Sequence, residues 1–330
     1  MMLVRRQLLS LASAAVVTVG LAEIAGAQGY PSRPITMIVP YGAGGPTDTV
    51  GRVVAEGMRA SLGQPILIEN VTGASGTIGV GRAARASGDG YTLSFGGGAT
   101  HVLNSAIFTV PYDVLMDFEP VSLIASESLV IVGKKTGRAN TLKELIAWLQ
   151  ANPGKVSLAT TGSGGLMHVA SVFFQRETGT RIQPVPYRGG AAPAVQDLVA
   201  GQIDMMIDFS ASSLPHVRTG NIKAFAVTAK DRLATAPDIP TVDEAGLPGF
   251  YISSWLGIWV PRGTPKHVIT KLNAAATNAL DDPIVRRRLA DLGQVIFPLV
   301  QRTPEALRQF QQAEIKKWWP IIKAAGIKAE

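Results

Sequence analysis

The chain has 330 residues, with 31 basic and 24 acidic side chains for a formal net charge of +7, and no cysteine. The missing cysteine excludes disulfides, a lipoprotein anchor, thiol catalysis and cysteine-rich metal sites, so stability rests on ordinary burial. The densest basic runs, Arg286-Arg287-Arg288 and Lys316-Lys317, fall on helical patterns and read as solvated faces. No basic stripe with interleaved aromatics points to nucleic acid.

In chain order, Arg5 and Arg6 precede an apolar stretch from Leu8 to Leu21, and Ala25-Gly26-Ala27 supplies a small-x-small cleavage pattern. Residues 1–27 therefore read as an export leader cleaved after Ala27, too short and wrongly flanked for a permanent membrane anchor. Arg5-Arg6-Gln7-Leu8-Leu9 also resembles a twin-arginine signal, with Val4 at the usual Ser/Thr position, so both the Sec and the Tat route stay open. With Arg5, Arg6 and Glu23 removed, 29 basic and 23 acidic side chains remain, a net +6. A mildly basic exported protein favours anionic solutes, although its charge is dispersed.

The mature chain alternates strand and helix patterns, which argues for an α/β protein, and its size favours two lobes. Predicted strands are Ile35–Val39, Pro65–Glu69, Thr92–Phe95, Pro120–Ile124, Leu129–Val132, Val156–Ala159, Ile182–Val185, Ile203–Ile207, Lys223–Val227 and Leu256–Val260. Predicted helices are Thr47–Ser61, Thr77–Ala86, Leu142–Ala151, Leu166–Thr178, Ala191–Ala200, Pro265–Leu280, Pro283–Leu292 and Thr303–Ala325. Thr141-Leu142-Lys143-Glu144 fits a capping box, and Thr264-Pro265 and Thr303-Pro304 place proline just inside a first turn. No linker separates two sequential domains. The expected division is residues 28–126 with 254–330 as lobe I and 127–253 as lobe II, joined by Leu123–Gly133 and Ser254–Val260.

The chemistry gathers in glycine- and hydroxyl-rich loops that follow strands and open helices. The first is Pro40-Tyr41-Gly42-Ala43-Gly44-Gly45-Pro46-Thr47-Asp48. Such a turn exposes N–H groups at the positive end of a helix and can cradle an anion. It lacks the Gly-Lys-Ser/Thr ending of a phosphate loop, which favours a small carboxylate over a nucleotide. The bland alternative is a plain strand-to-helix turn. Four more loops follow the same plan: Asn70–Thr77, Gly96–His101, Thr160–Gly165 and Pro186–Gly190. Arg188 is the only basic residue among these loops, so neutral donors at helix starts are the expected carboxylate grip. Asp48 reads as a helix-start acid paired with Arg52 at i+4, with direct ligand contact as the other option.

The first loop resembles the opening loop of the Bug receptors, the periplasmic solute-binding proteins of tripartite tricarboxylate transporters. The resemblance continues through Gly73-Ala74-Ser75-Gly76-Thr77, Gly88-Asp89-Gly90-Tyr91-Thr92-Leu93, Pro186-Tyr187-Arg188-Gly189-Gly190, Ala226-Val227-Thr228 and Gly263-Thr264-Pro265, and covers essentially the whole mature chain. It implies a type II periplasmic-binding-protein fold, two α/β lobes with a central cleft, closing on one small organic acid in the periplasm, with no catalysis, cofactor or metal. A monomer and two membrane subunits as partners are expected. By motif, lobe I offers Tyr41, Ala43, Gly44, Thr47, Asp48, Ser75, Gly76, Thr77 and Thr100. Lobe II offers Thr161, Gly162, Ser163, Tyr187, Gly190 and Asp208. Tyr187 is expected to stack on the ligand or hydrogen-bond it; Asp208 to accept from the ligand or to bond a neighbouring loop. Gly96-Gly97-Gly98 reads as looser than the family's Thr-rich loop, and Thr160-Thr161 replaces a serine-rich start, so ligand identity does not transfer.

Rival readings are a periplasmic sensor, whose sequence would look the same, and a hydrolase. The hydrolase lacks a G-x-S-x-G elbow and an H-E-x-x-H motif. His101 and His168 read as packed or capping residues, while His216, after a Pro215 turn, and His267 read as surface. Gly79-Val80-Gly81-Arg82-Ala83-Ala84 matches a dinucleotide pattern but begins beyond the strand end, within the expected helix, where the fingerprint does not work.

Overall fold

A computed structural model describes residues 29–161, 165–187 and 191–328. The leader, Gly162, Ser163, Arg188 and Gly190 therefore lie outside the described residues. The chain begins with β1 (Ile35–Val39), α1 (Pro46–Leu62), β2 (Ile66–Asn70), α2 (Thr77–Ala84) and β3 (Thr92–Gly97). A π-helical turn over Ala99–Leu103 runs into α3 (Asn104–Ile107), and β4 (Phe118–Lys134) follows. Next come α4 (Leu142–Ala151), β5 (Ser157–Thr161), α5 (Leu166–Thr178), β6 (Gln183–Tyr187), α6 (Ala191–Val199), β7 (Met205–Phe209), α7 (Ser210–Arg218) and β8 (Ile222–Val227). The chain ends with β9 (Ser253–Pro261), α8 (Lys266–Asp281), α9 (Pro283–Asp291), β10 (Val295–Ile296) and α10 (Pro304–Ala324).

Two groups of strands share β4. The order is β2-β1-β3-β9-β4-β7-β5-β6, with β8 and β10 also pairing β4. Within the first group β1 runs parallel to β2 and β3, and within the second β5 runs parallel to β6 and β7. The antiparallel strands β4 and β9 form the seam, with register shifts at Pro120/Ser122 and Leu123/Ala125. At its far end Thr228, almost fully buried, clasps the crossing. Its hydroxyl accepts from Leu129 N–H at 3.0 Å and is placed to donate its one proton to Ile252 C=O at 2.6 Å, with Leu129 C=O at 3.0 Å as the alternative acceptor.

Helices α1 and α8 bury Val50, Val53, Val54, Met58, Leu272 and Ala276 against β1 and β3. Each fully buried aliphatic side chain contributes about 1.5–3 kcal/mol relative to exposure. The C-terminal quarter returns to the first strand group. Asn273 donates its side-chain amide to Val121 C=O at 2.8 Å, and Gln311 on α10 donates to His101 C=O at 2.8 Å and accepts from Trp259 Nε1 at 3.2 Å.

Several expectations need correction. Pro120–Ile124 and Leu129–Val132 are one strand of 17 residues, because Ala125–Ser128 stays paired with β9. Pro215 makes no turn. It lies inside α7, which was not predicted because Ser210-Ala211-Ser212-Ser213 gives little apolar periodicity. Pro265 is the residue before α8 rather than its first, whereas Pro304 opens α10 as expected. Gly96 and Gly97 are not a loose loop but the end of β3, opposite Gly257 and Leu256. A Cβ at Gly97 would lie 1.6 Å from the Trp255 carbonyl oxygen.

Candidate functional site

The parallel strands place their carboxyl ends on shared edges, where ligands bind in open α/β sheets. At the edge of the first group, Tyr41–Gly45 follows β1, Val71–Gly76 follows β2 and Gly98–Thr100 follows β3. At the edge of the second, Thr161, Tyr187 and Asp208 end or nearly end β5, β6 and β7.

The first loop is built around Asp48, which is 1% exposed. Its Oδ2 accepts from Gly44 N–H at 2.7 Å and from Arg52 Nε at 2.9 Å, while Oδ1 accepts from Asn70 Nδ2 at 2.9 Å. Asn70 also donates to Tyr41 C=O at 2.9 Å, locking the first loop to the end of β2. Burial pushes the Asp48 carboxyl up, but the bonds from Arg52, Gly44 and Asn70 outweigh it and hold it below the ordinary value. The expected i,i+4 pair with Arg52 is present, and both oxygens of Asp48 are engaged within the loop. Gly44, at φ +78°, turns the backbone into open space, and a Cβ added there would meet nothing within 4 Å.

The second loop has four successive residues with positive φ, Gly73, Ala74, Ser75 and Gly76. Such conformations cost about 1–3 kcal/mol at non-glycine residues and persist where surroundings over-determine them. Here Asn104 Nδ2 donates to Ser75 C=O at 2.8 Å and Gly76 N–H to Gly73 C=O at 2.9 Å. Gly76 rests on Pro40 and Thr100, so the first two loops and the end of β3 form one platform. Of the candidate residues on it, Ala43, Gly44 and Ser75 are exposed, Tyr41, Thr47 and Thr77 are half-buried and Gly76 is buried. Thr100 is fully buried and its hydroxyl accepts from Gly97 N–H at 3.1 Å, so it supports the platform from below.

Helix starts at this edge lack side-chain caps, as do those of α3, α7 and α8 elsewhere. Helices α1, α2 and α5 start after Gly45, Gly76 and Gly165 with no side-chain cap. By contrast, Thr141, Asp282 and Thr303 cap α4, α9 and α10 through their side chains. The first N–H groups of a helix need partners; the N-cap glycines of α1 and α2 offer no side chain for them, and of these amides Thr77 N–H goes to Ala74 C=O.

In the second group, Tyr187 donates its hydroxyl to Asp197 Oδ2 at 2.6 Å; burial and this bond push its pKa up to about 12. Its phenol oxygen thus has a partner on α6. Asp208 is fully buried and its Oδ2 accepts from Ser213 on α7 at 2.7 Å. Thr161 pairs with Tyr187 across β5 and β6.

His101 is a packed residue: fully buried, stacked on Trp259 at 3.9 Å, with its Nδ1 2.9 Å from Thr100 Oγ1. Burial pushes its pKa down to about 3, so it stays neutral. The dinucleotide-like glycines also have a packing explanation, since a Cβ at Gly79 would meet Val71 C=O at 2.6 Å. A cavity of about 240 Å³ lined by Lys134, Arg138, Trp148 and Phe225 contains none of the candidate residues. Sequence reading missed Asn70 and Asn104 as organisers of the platform. Asn70 stood in a quoted loop, but its partners are distant in sequence.

Fold and platform define a two-lobed α/β solute receptor. Residues 50–327 match the family described as "Tripartite tricarboxylate transporter family receptor". The chain is 36% identical to Protein BugT of Bordetella pertussis over 324 residues, 98% of each chain. It is also similar to malate-bound MatC of Rhodopseudomonas palustris, with 38% identity, a TM-score of 0.76, and coverage of 89% of this chain and 100% of that one. An adipate-bound R. palustris protein gives 31% identity, a TM-score of 0.77, and coverage of 91% and 100%. The chain belongs to this TctC family, whose members are solute-binding receptors and not enzymes.

Proposed function

We propose that this protein captures one small organic acid through a carboxylate and hands it to the membrane subunits of a tripartite tricarboxylate-type transporter. The observation carrying this reading is the start of helices α1 and α2 at glycine, without a side-chain cap, beside the exposed Gly44 and Ser75. A carboxylate accepts from first-turn amides that no capping side chain serves, and charge-assisted bonds of this kind contribute about 1.5–3 kcal/mol each. Relatives with bound malate and adipate support a dicarboxylate as the first class to test.

In this reading the leader is removed near Ala27 and the mature protein works in the periplasm. Residues 28–126 and 254–330 form lobe I and 127–253 form lobe II. The ligand binds the platform of Tyr41, Ala43, Gly44, Thr47, Ser75, Gly76 and Thr77 and reaches across to Thr161, Gly162, Ser163, Tyr187 and Gly190. Asp48 and Thr100 position the platform. Because the ligand bonds both lobes, it favours the closed state, which the partner recognises.

The test is a thermal-shift screen of the mature protein with mono-, di- and tricarboxylates and aromatic acids, followed by calorimetry. A ligand at one hundred times its Kd stabilises by about 2.7 kcal/mol. Saturable stabilisation by a carboxylate, abolished when its methyl ester or amide is substituted, is expected. Equal binding of the uncharged analogue, or turnover of it, would sink the proposal.

A further inference from the structure

Strand β4 carries an acid, Glu127, where its pairing changes partners. Ser126 and Glu127 lie opposite Trp255 and Ser254 of β9, and Ser126 also lies opposite Val295 of β10. Two residues beyond Glu127, Leu129 pairs with Phe209 of β7. Glu127 is 6% exposed. Its Oε1 accepts from Ala211 N–H at 2.9 Å, in the first turn of α7, and Oε2 accepts from the Gln294 side-chain amide at 3.2 Å, just before β10. One carboxyl group thereby ties a helix of the second strand group to the segment returning to the first. The two elements also touch directly, since a Cβ on Gly293 would lie 2.9 Å from that of Ala211.

The charged surroundings are few. Asp208 on β7 is fully buried; its Oδ1 has no hydrogen-bond partner, and its charge acts on Glu127. His216 on α7 acts on Asp208 in the opposite sense. Ser210, Ser212, Ser213, Ser254 and Gln294 are uncharged. We propose that Glu127, with Asp208 beside it, is a protonation-sensitive latch across the strand crossing, closed when Glu127 is protonated and loosened when it ionises. In the protonated form Oε1 keeps the Ala211 N–H, and Oε2–H donates to Gln294 once that amide turns over. Ionisation places a second negative charge near Asp208 with little water to screen it, which favours opening the contact.

The sign follows from linkage. Burial first, and then Asp208, push the Glu127 carboxyl up to about 7 in this arrangement from an ordinary 4.5. The latched form therefore binds more protons than a solvated one, and it weakens as pH rises between those two values. The response needs no ligand.

Because the chain has no cysteine, Glu56→Cys on α1 and Glu177→Cys on α5, both exposed, can carry a donor–acceptor dye pair. Transfer efficiency of the ligand-free mature protein is expected to shift between about pH 5 and about pH 8. In Glu127→Gln, which mimics the protonated acid, it is expected to stay at the acidic value throughout. No shift in the parent, or the same shift in Glu127→Gln, overturns the proposal. Should Glu127→Gln fail to fold, Asp208→Asn serves instead: removing the neighbouring charge is expected to shrink the shift, and an undiminished shift overturns the latch.

Discussion

Replacing Asp48 by asparagine tests how the first loop is held. The side chain is 1% exposed, and Oδ2 receives two donors, Gly44 N–H and Arg52 Nε, while Oδ1 receives Asn70. An asparagine keeps the shape but turns one oxygen into a donor, so one side of the group meets N–H with N–H whichever way the amide faces. Two charge-assisted bonds at about 1.5–3 kcal/mol each give an upper bound. Arg52 is half-exposed and Gly44 lies in an open loop, so water recovers much of this and the ion pair contributes little. The expected net loss is about 2 kcal/mol, roughly a 4 °C fall in Tm for a chain of this size. Because the Asp48 carboxyl is held below the ordinary value of 3.8, its contribution is present above that pH and lost as pH falls through the native value. Urea unfolding near neutral pH should show the gap between parent and variant, and acid should close it. Parent-like stability combined with lost ligand affinity would refute the reasoning and make Asp48 a direct ligand contact.

Three further outcomes follow from the same geometry. Gly44→Val should cost only about 1–2 kcal/mol of stability, from the left-handed backbone, yet lower ligand affinity at least about tenfold by filling the loop mouth; calorimetry with parent-like affinity would contradict this. His101 should remain neutral by imidazole NMR across about pH 5–8, and stability should decline as pH falls below 6.5, because only the unfolded chain takes up that proton. Tyr187→Phe should cost about 1 kcal/mol through the lost bond to Asp197 and change ligand affinity less than about threefold; a larger loss would place the hydroxyl on the ligand.

Periodicity made the regular elements legible. Leu142–Ala151 and Leu166–Thr178 have the expected bounds, since each joins an apolar stripe to a marked start. The misses arise where local signal and tertiary context part. The segment Ser210–Arg218 is helical although it carries proline and four hydroxyl or small residues at its start. Its partners are distant: Asp208 takes the Ser213 hydroxyl and Glu127 takes the Ala211 amide. Likewise, Ala125–Ser128 reads as a break by composition but stays in β4 because β9 supplies its ladder partners.

Glycine shows why the platform was only half legible. In the one-dimensional pattern Gly44, Gly76, Gly79 and Gly97 look alike, each within a glycine-rich stretch between a strand and the body of a helix. In space they divide by what surrounds the missing side chain. Around Gly44 there is nothing within 4 Å, which leaves room for a ligand. A Cβ at Gly79 or Gly97 would face a backbone carbonyl at 2.6 or 1.6 Å, which is the demand of packing. Gly76 serves both ends, turned to φ +94° above Pro40 and Thr100 while opening α2 without a side-chain cap. The same division separates the threonines: Thr141 and Thr303 spend their hydroxyls on helix amides, whereas glycine at the starts of α1 and α2 leaves those amides to a partner from outside the helix. A sequence motif can mark where such a turn lies, but whether its N–H groups are already satisfied depends on side chains tens of residues away. That distinction separates a binding loop from a structural turn.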